Sequence, residues 1–403
     1  AVPRVSGRAA VRAQIEAGEA AISAGAVDAG LARLRGAVAS ARAGDDPEPL
    51  ARSLIGLGSA LVHAARGTDE EGAAALHEGS RLAEEAGNRQ LAATGVRELS
   101  WVQFLRGRYE RAEASLTRAA DLARGSDEEL AWVEVILGSC RSDVGDYAAA
   151  AELLRAAVSR SERASSAHLT AFARTMLGRL HLLRGEHEDA RSILDETLGY
   201  VGARGLTAFQ PWPASFRAEL DLLEGDVDAA EARFEHAFAL GCQVGDPCWE
   251  SIAARGLGIV AAQRGDVARA LELLVDAPKL CRRLPDTYLW IEAYSLDALC
   301  ALALEQGAEG TGRWIDELEA IAAGHGMREL LARATIYRAR LGEPGALDAA
   351  RSLAAQIDNP VLGALLQRMG GDHELEVVES KAPPPARRHR HHDKRGRRGS
   401  RVA

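Results

Sequence analysis

Along this chain a short polar turn carrying a glycine is followed, again and again, by an alanine-rich amphipathic run. The clearest copies are RGRYERAEASL from Arg106, VGDYAAAAELL from Val144, RGEHEDARSIL from Arg184, EGDVDAAEARF from Glu224 and RGDVARALELL from Arg264. Their glycines, Gly107, Gly145, Gly185, Gly225 and Gly265, stand 38, 40, 40 and 40 residues apart. Weaker turns at Gly25 and Gly67 continue the series backward, and Gly307 and Gly342–Gly345 continue it forward. A fixed period of this size with helical patterning predicts stacked helical hairpins, about nine of them.

Each position in the motif has a physical reason. Glycine takes the left-handed conformation that ends a helix without a Cβ clash. Asp146, Asp226 and Asp266 follow it directly, where a carboxylate caps the next helix and complements its dipole. Five residues past the strong glycines stand Ala112, Ala150, Ala190, Ala230 and Ala270, small enough for the two helices to approach closely. Nine residues past them come Leu116, Leu154, Leu194, Phe234 and Leu274. Upstream by seven, three copies carry Gly138, Gly178 and Gly258, each preceded by Leu. The segment 205–216, with Pro211 and Pro213, interrupts the pattern and predicts a linker and a helix start.

This order of Leu-Gly, turn glycine, alanine and large apolar residue resembles the tetratricopeptide repeat family over most of the chain. The period of forty departs from the family's usual value of about thirty-four. The resemblance implies an all-α fold: a right-handed superhelical solenoid of about nine helix-turn-helix hairpins over residues 1–370. Longer repeats in this Ala/Arg-rich style are similar to the sensor arms of large ATP-dependent bacterial transcription regulators of the LuxR-type and SARP-type.

Composition agrees with helices. Hydrophobic residues make up 47% of the chain but aromatics only 4%, so the apolar content rests on Ala, Leu and Val. The five cysteines, Cys140, Cys242, Cys248, Cys281 and Cys300, are odd in number and form neither CxxC nor a zinc spacing. Reduced, buried thiols and a cytoplasmic location are the expectation. No apolar run has membrane-spanning length, and no membrane association is expected.

Chemistry is hard to find. There is no Gly-Lys-Ser/Thr phosphate loop, no HExxH and no GxSxG elbow. No cofactor, metal or catalytic residue is expected, and the chain does not read as an enzyme. The informative positions lie thirteen residues before the turn glycines: Trp132, Phe172, Trp212, Ile252 and, before Gly307, Tyr294. Beside them, ten or six residues before the glycines, are Arg97, Trp101, Arg179, Glu219 and Arg255. In the family this first-helix face lines a concave groove, so the resemblance implies a protein, peptide or small effector held by aromatics and forked arginines. The same aromatics also fit a second arrangement, packed as core between neighbouring hairpins.

Composition changes near Glu379. Residues 381–403 hold nine Lys/Arg, one acid and three consecutive prolines, and nothing apolar to build a core. Without that segment the chain has 40 basic and 57 acidic residues, a net charge of −17, against +8 for the segment itself. Residues 371–403 are expected to be a disordered basic tail. Within it Arg387, Arg388, Arg390, Arg395, Arg397 and Arg398 offer nonspecific contacts to nucleic acid. The function expected is a non-catalytic protein- or effector-binding repeat scaffold in the regulatory region of a bacterial signal-transduction or transcription regulator. A free-standing adaptor that assembles other proteins is the alternative.

Overall fold

Every strong turn glycine ends a helix, and the chain divides accordingly. The computed structural model describes residues 2–23, 26–64, 69–284 and 287–367. The weak turns at Gly25 and Gly67 and the basic tail with the six arginines named above lie outside the described residues. The first helices of the hairpins are α1 (Val2–Ser23), α3 (Pro47–His63), α5 (Arg89–Leu105), α7 (Asp127–Asp143), α9 (Ala167–Leu183), α11 (Pro211–Glu224), α13 (Pro247–Gln263), α15 (Leu289–Gln306) and α17 (Arg328–Arg340). Their partners are α2 (Val27–Arg42), α4 (Asp69–Glu85), α6 (Tyr109–Leu122), α8 (Tyr147–Arg163), α10 (His187–Ala203), α12 (Val227–Val244), α14 (Val267–Cys281), α16 (Thr311–Gly324) and α18 (Ala346–Ala354). A short 3-10 turn, Thr207–Phe209, leads into α11, which starts on Pro211 as its position suggests. Among the described residues of Ala1–Leu362 the result is an all-α, tetratricopeptide-like solenoid of nine hairpins. Gly363–Ala403 forms a second unit, of which residues 363–367 are described, as helix.

The motif works as the residues require. Gly107, Gly145, Gly185, Gly225 and Gly265 all have positive φ, between 66° and 84°. Asp146, Asp226 and Asp266 accept from the backbone N–H three residues on. A second series of left-handed turns joins one hairpin to the next, at Gly87, Gly125, Gly205 and Gly245, with Ser165 in the same place at φ 54°.

The five alanines are fully buried, and Leu154, Leu194 and Leu274, four positions on, pack into the first helix of their own hairpins. A Cβ on Gly138, Gly178 or Gly258 would come within 2.7 to 2.8 Å of Leu154, Leu194 or Leu274. On Gly256 it would strike the Phe234 ring at 2.2 Å. Gly138, Gly178 and Gly258 therefore set the distance between the paired helices, and Gly256 the distance between one hairpin and the next.

Successive first helices touch one another along the whole array, from α1 with α3 to α15 with α17, whereas successive second helices do not pack comparably. The first helices thus lie on the tight, inner side of the curve. Each hairpin buries its apolar face against its neighbours, as in other repeat arrays. Clusters such as Ala218, Ala230, Phe234, Ala253 and Val260 link α11, α12 and α13.

Candidate functional site

The inner side is where side chains from many hairpins converge. One ring per hairpin steps along it. Trp132 of α7 lies 6.1 Å from His168 of α9, His168 lies 5.2 Å from Phe209, and Phe209 lies 6.1 Å from Trp249 of α13, centroid to centroid. A second tier sits deeper. Trp101 of α5 meets Phe172 of α9 at 5.5 Å across the intervening helix, and Trp212 stacks on Trp249 at 6.4 Å. Contact between hairpins that are not neighbours shows that the inner faces close on one another.

Accessibility changes along the first helices. On α7, α9 and α13 the rings near the N-terminal end, Trp132, His168 and Trp249, are half-buried or exposed. Towards the C-terminal end the inner residues Asp143, Arg179 and Arg255 are buried, Arg179 completely. The inner face is therefore open at one end and sealed at the other. His168 fits this description: its surface reaches solvent, yet burial and, secondarily, His63 lower its pKa from the usual value.

The sealed end is a polar network. Arg179 donates to the Tyr288 hydroxyl at 2.6 Å, to Asp143 at 2.5 Å and to Ser142 at 3.0 Å, and its guanidinium lies 4.2 Å from the Trp290 ring centroid. Asp143 also accepts from Tyr109 and Tyr288. Burial raises the Asp143 carboxyl above the ordinary range, against the opposing pull of Arg179 and the hydroxyls.

The other arginines singled out in the sequence are engaged in the same way. Arg97 donates to Glu129 and Glu98 and lies over Trp132 at 5.0 Å. Arg255 donates to Glu219 and to the Tyr294 carbonyl and lies over the Tyr294 ring at 3.8 Å. Phe172, Trp212 and Tyr294 are buried, whereas Trp101 and Trp132 stay partly accessible. The structure thus brings the eight predicted residues to one inner side, with the arginine forks taken by the chain's own carboxylates.

Sequence reasoning missed His63, His168, Phe209, Trp249, Tyr288 and Trp290. A signal existed for three of them on helices: Trp249 lies three residues, and His168 and Trp290 four residues, before the aromatic register, spacings that keep the same helix face. What the open inner face offers is aromatic surface and an imidazole. The Nε1–H groups of Trp101 and Trp212 are buried without a hydrogen-bond partner among the described residues.

Two other places were candidates for chemistry. His181, Glu186 and Asp189 bring ligand atoms within 4.8 Å of one another. Arg184 holds Glu186, and the N-terminal end of α10 opposes a cation there, so a His–Glu hydrogen bond of 2.5 Å explains the cluster. A cavity of about 620 Å³ lies between α1, α2 and the start of α3, lined by Arg8, Val11, Ala41 and Asp46, away from the aromatic face. Among the described residues no helix is long and apolar enough to cross a membrane.

The tetratricopeptide repeat family matches residues 129–199, which cover α7 to α10. No curated protein matches the sequence. Among solved structures, the chain is similar to a Rap protein complexed with competence and sporulation factor, at 12% identity and a TM-score of 0.57, over 93% of this chain and 100% of that one. It is also similar to the Rap conjugation gene regulator of the plasmid pLS20 in complex with the Phr* peptide, at 10% identity and a TM-score of 0.53, over 93% and 98% of the two chains. Aspartyl phosphate phosphatase F from Bacillus subtilis is similar over 69% of this chain and 73% of its own, at 10% identity and a TM-score of 0.51. At these identities the likeness is one of fold. The chain is similar in fold to tetratricopeptide-like helical repeat proteins.

Proposed function

We propose that this chain is a non-catalytic binding scaffold that takes a protein or peptide on the open end of its inner face. The observation that carries the reading is the ladder Trp132–His168–Phe209–Trp249, one ring per hairpin, in which Trp132, His168 and Trp249 reach solvent and the buried Phe209 links them above a sealed polar floor. Rigid aromatic surface with few rotatable bonds is what binding hot spots use. In this reading Trp101 and Trp132 touch the partner together with His168 and Trp249. Arg97, Phe172, Arg179, Trp212, Arg255 and Tyr294 hold those rings in place from behind.

The two similar Rap structures carry competence and sporulation factor or the Phr* peptide, which supports a peptide-like partner. The wider role we propose is the sensing region of a bacterial signal-transduction or transcription regulator, of the kind the LuxR-type and SARP-type resemblance implies, acting in the cytoplasm. The basic residues of 381–403 add nonspecific affinity for nucleic acid in the same reading.

The test is to select peptides from a random library on the intact chain and measure them by calorimetry against Trp132→Ala and Trp249→Ala. Loss of at least about tenfold in affinity in both variants, with helicity unchanged, is expected. Undiminished affinity in both would place the binding site elsewhere.

A further inference from the structure

The turn glycines occupy the same place in each hairpin, yet their surroundings fall into two classes. A Cβ on Gly107 would meet His325 and Leu289 at 2.9 Å, and one on Gly185 would meet Val361 at 2.9 Å. At Gly145 the neighbours, Glu329 and Ile357, stand at 3.7 Å. At Gly225, Gly265 and Gly307 a Cβ would meet nothing within 4 Å. The turn edges of the third, fourth and fifth hairpins are therefore covered by the eighth and ninth hairpins and the segment that follows them. The later edges are bare.

The sequence marks the covered edges. Two residues past the glycine stand Tyr109, Tyr147 and His187 in the covered turns, but Val227 and Val267 in the next two. Tyr147 donates to Glu329 at 2.5 Å, and Asn359 donates to the same carboxylate and to the Leu183 carbonyl. Arg328 donates to the Val144 carbonyl at 2.8 Å, and Arg184 to Asp358 at 3.0 Å. The His325 ring nitrogen meets the Gly107 carbonyl at 3.2 Å. Tyr288 joins this seam to Asp143 and Arg179.

The seam differs in kind from the contacts along the stack. Neighbouring hairpins share continuous apolar core, whereas the seam joins scattered apolar contacts with a set of hydrogen bonds and the ion pair Arg184–Asp358, whose net strength is modest because water competes for both partners. It also joins segments 109 to 218 residues apart in sequence, so it closes the longest loops in the fold. A polar surface of that kind is what opens first.

We propose that the last two hairpins and the segment through Val361 form a clasp. The clasp opens as one step while the hairpin stack stays folded, and opening bares Arg179, Asp143 and Tyr288 at the sealed end of the inner face. This rests on the seam alone and holds whether or not the open end takes a peptide.

The experiment uses two glycines with the same left-handed conformation and opposite surroundings. Gly107→Asn wedges the seam, and Gly265→Asn makes the same backbone change in open space. Asparagine tolerates the left-handed region, so the two variants share the backbone effect. Hydrogen exchange is read by mass spectrometry on the full chain. In Gly107→Asn, amides at 143–147 and at the starts of α15 and α17 are expected to exchange at least about tenfold faster, with less than about twofold change in α11 to α14. Gly265→Asn leaves the seam amides at their original rates. Tyr147→Phe, which deletes the hydroxyl on Glu329 and adds no bulk, shifts the same seam amides and decides the matter if Gly107→Asn fails to fold. Unchanged seam amides in the folded variants, or acceleration spread evenly over all helices, would overturn the clasp.

Discussion

Replacing Arg179 by alanine should destabilise the chain severely, although its position in the sequence resembles that of a ligand-gripping arginine. The side chain is 0% exposed, and its guanidinium is the only cation bonded to the equally enclosed Asp143 among the described residues. Removing it leaves a buried carboxylate held only by the hydroxyls of Tyr109 and Tyr288. Breaking one half of a buried ion pair costs about 3–5 kcal/mol, and loss of the stack on Trp290 adds to that. The deficit should depend on pH. Burial already raises the Asp143 carboxyl, and without Arg179 its folded-state pKa rises further above the unfolded value. A protonated Asp143 then favours the folded state, so the deficit is full at neutral pH and shrinks as pH falls through the raised value. Urea melts followed by circular dichroism at pH 7.5 and pH 5 measure both effects, and adding Asp143→Asn should recover part of the loss. A variant within about 1 kcal/mol of the parent at pH 7.5 would refute the enclosed-pair argument.

Two further predictions concern packing and acid stability. Gly178→Ala should cost about 1–3 kcal/mol because its Cβ would come within 2.8 Å of Leu194, whereas Gly199→Ala, in open space on α10, should stabilise by about 0.5–1 kcal/mol. Thermal melts of the pair check this, and equal shifts would mean that Gly178 is not a close-approach point. Burial alone would raise the Glu98 carboxyl, but Arg97 and His63 outweigh it and hold the value at about 2 against an ordinary 4.5. That depression stabilises the fold by about 3 kcal/mol above pH 4.5 and is lost as pH falls towards 2. Glu98→Gln should flatten this part of the acid unfolding curve, and an unchanged curve would contradict it.

The fold was legible because a repeat states its rule many times. One glycine in a helical pattern says little, but five at nearly constant spacing, each followed by alanine at five and a bulky residue at nine, define a hairpin and its packing. The candidate site was legible only in part. Trp132 stands in the register thirteen residues before its turn glycine and is partly accessible, whereas Phe172 and Trp212 in the same register are core. The two classes share spacing and residue type. Trp212 is covered by the approach of the eighth hairpin, through Tyr288 at 6.0 Å, and Phe172 by Trp101 across the intervening helix at 5.5 Å, and local periodicity carries no information about contacts between hairpins so far apart in sequence. The tyrosines after Gly107 and Gly145 mark that approach in the sequence, but only against the valines that follow Gly225 and Gly265.

The inner arginines acquire a consistent role once their partners are known. Arg97 bonds Glu129, Arg179 bonds Asp143, and Arg255 bonds Glu219; each pair joins the first helices of adjacent hairpins. Apolar alanine faces would permit such helices to slide, because neighbouring turns of an alanine-rich helix present similar surfaces. A slip of one turn, about 5.4 Å, would part each of these charges from its partner inside the fold. Stranding buried charges costs more than the pairs themselves contribute. The ion pairs therefore select the register of the first helices more than they strengthen the array. Register is what the aromatic ladder depends on, since Trp132, His168, Phe209 and Trp249 meet ring to ring only when successive hairpins are correctly offset.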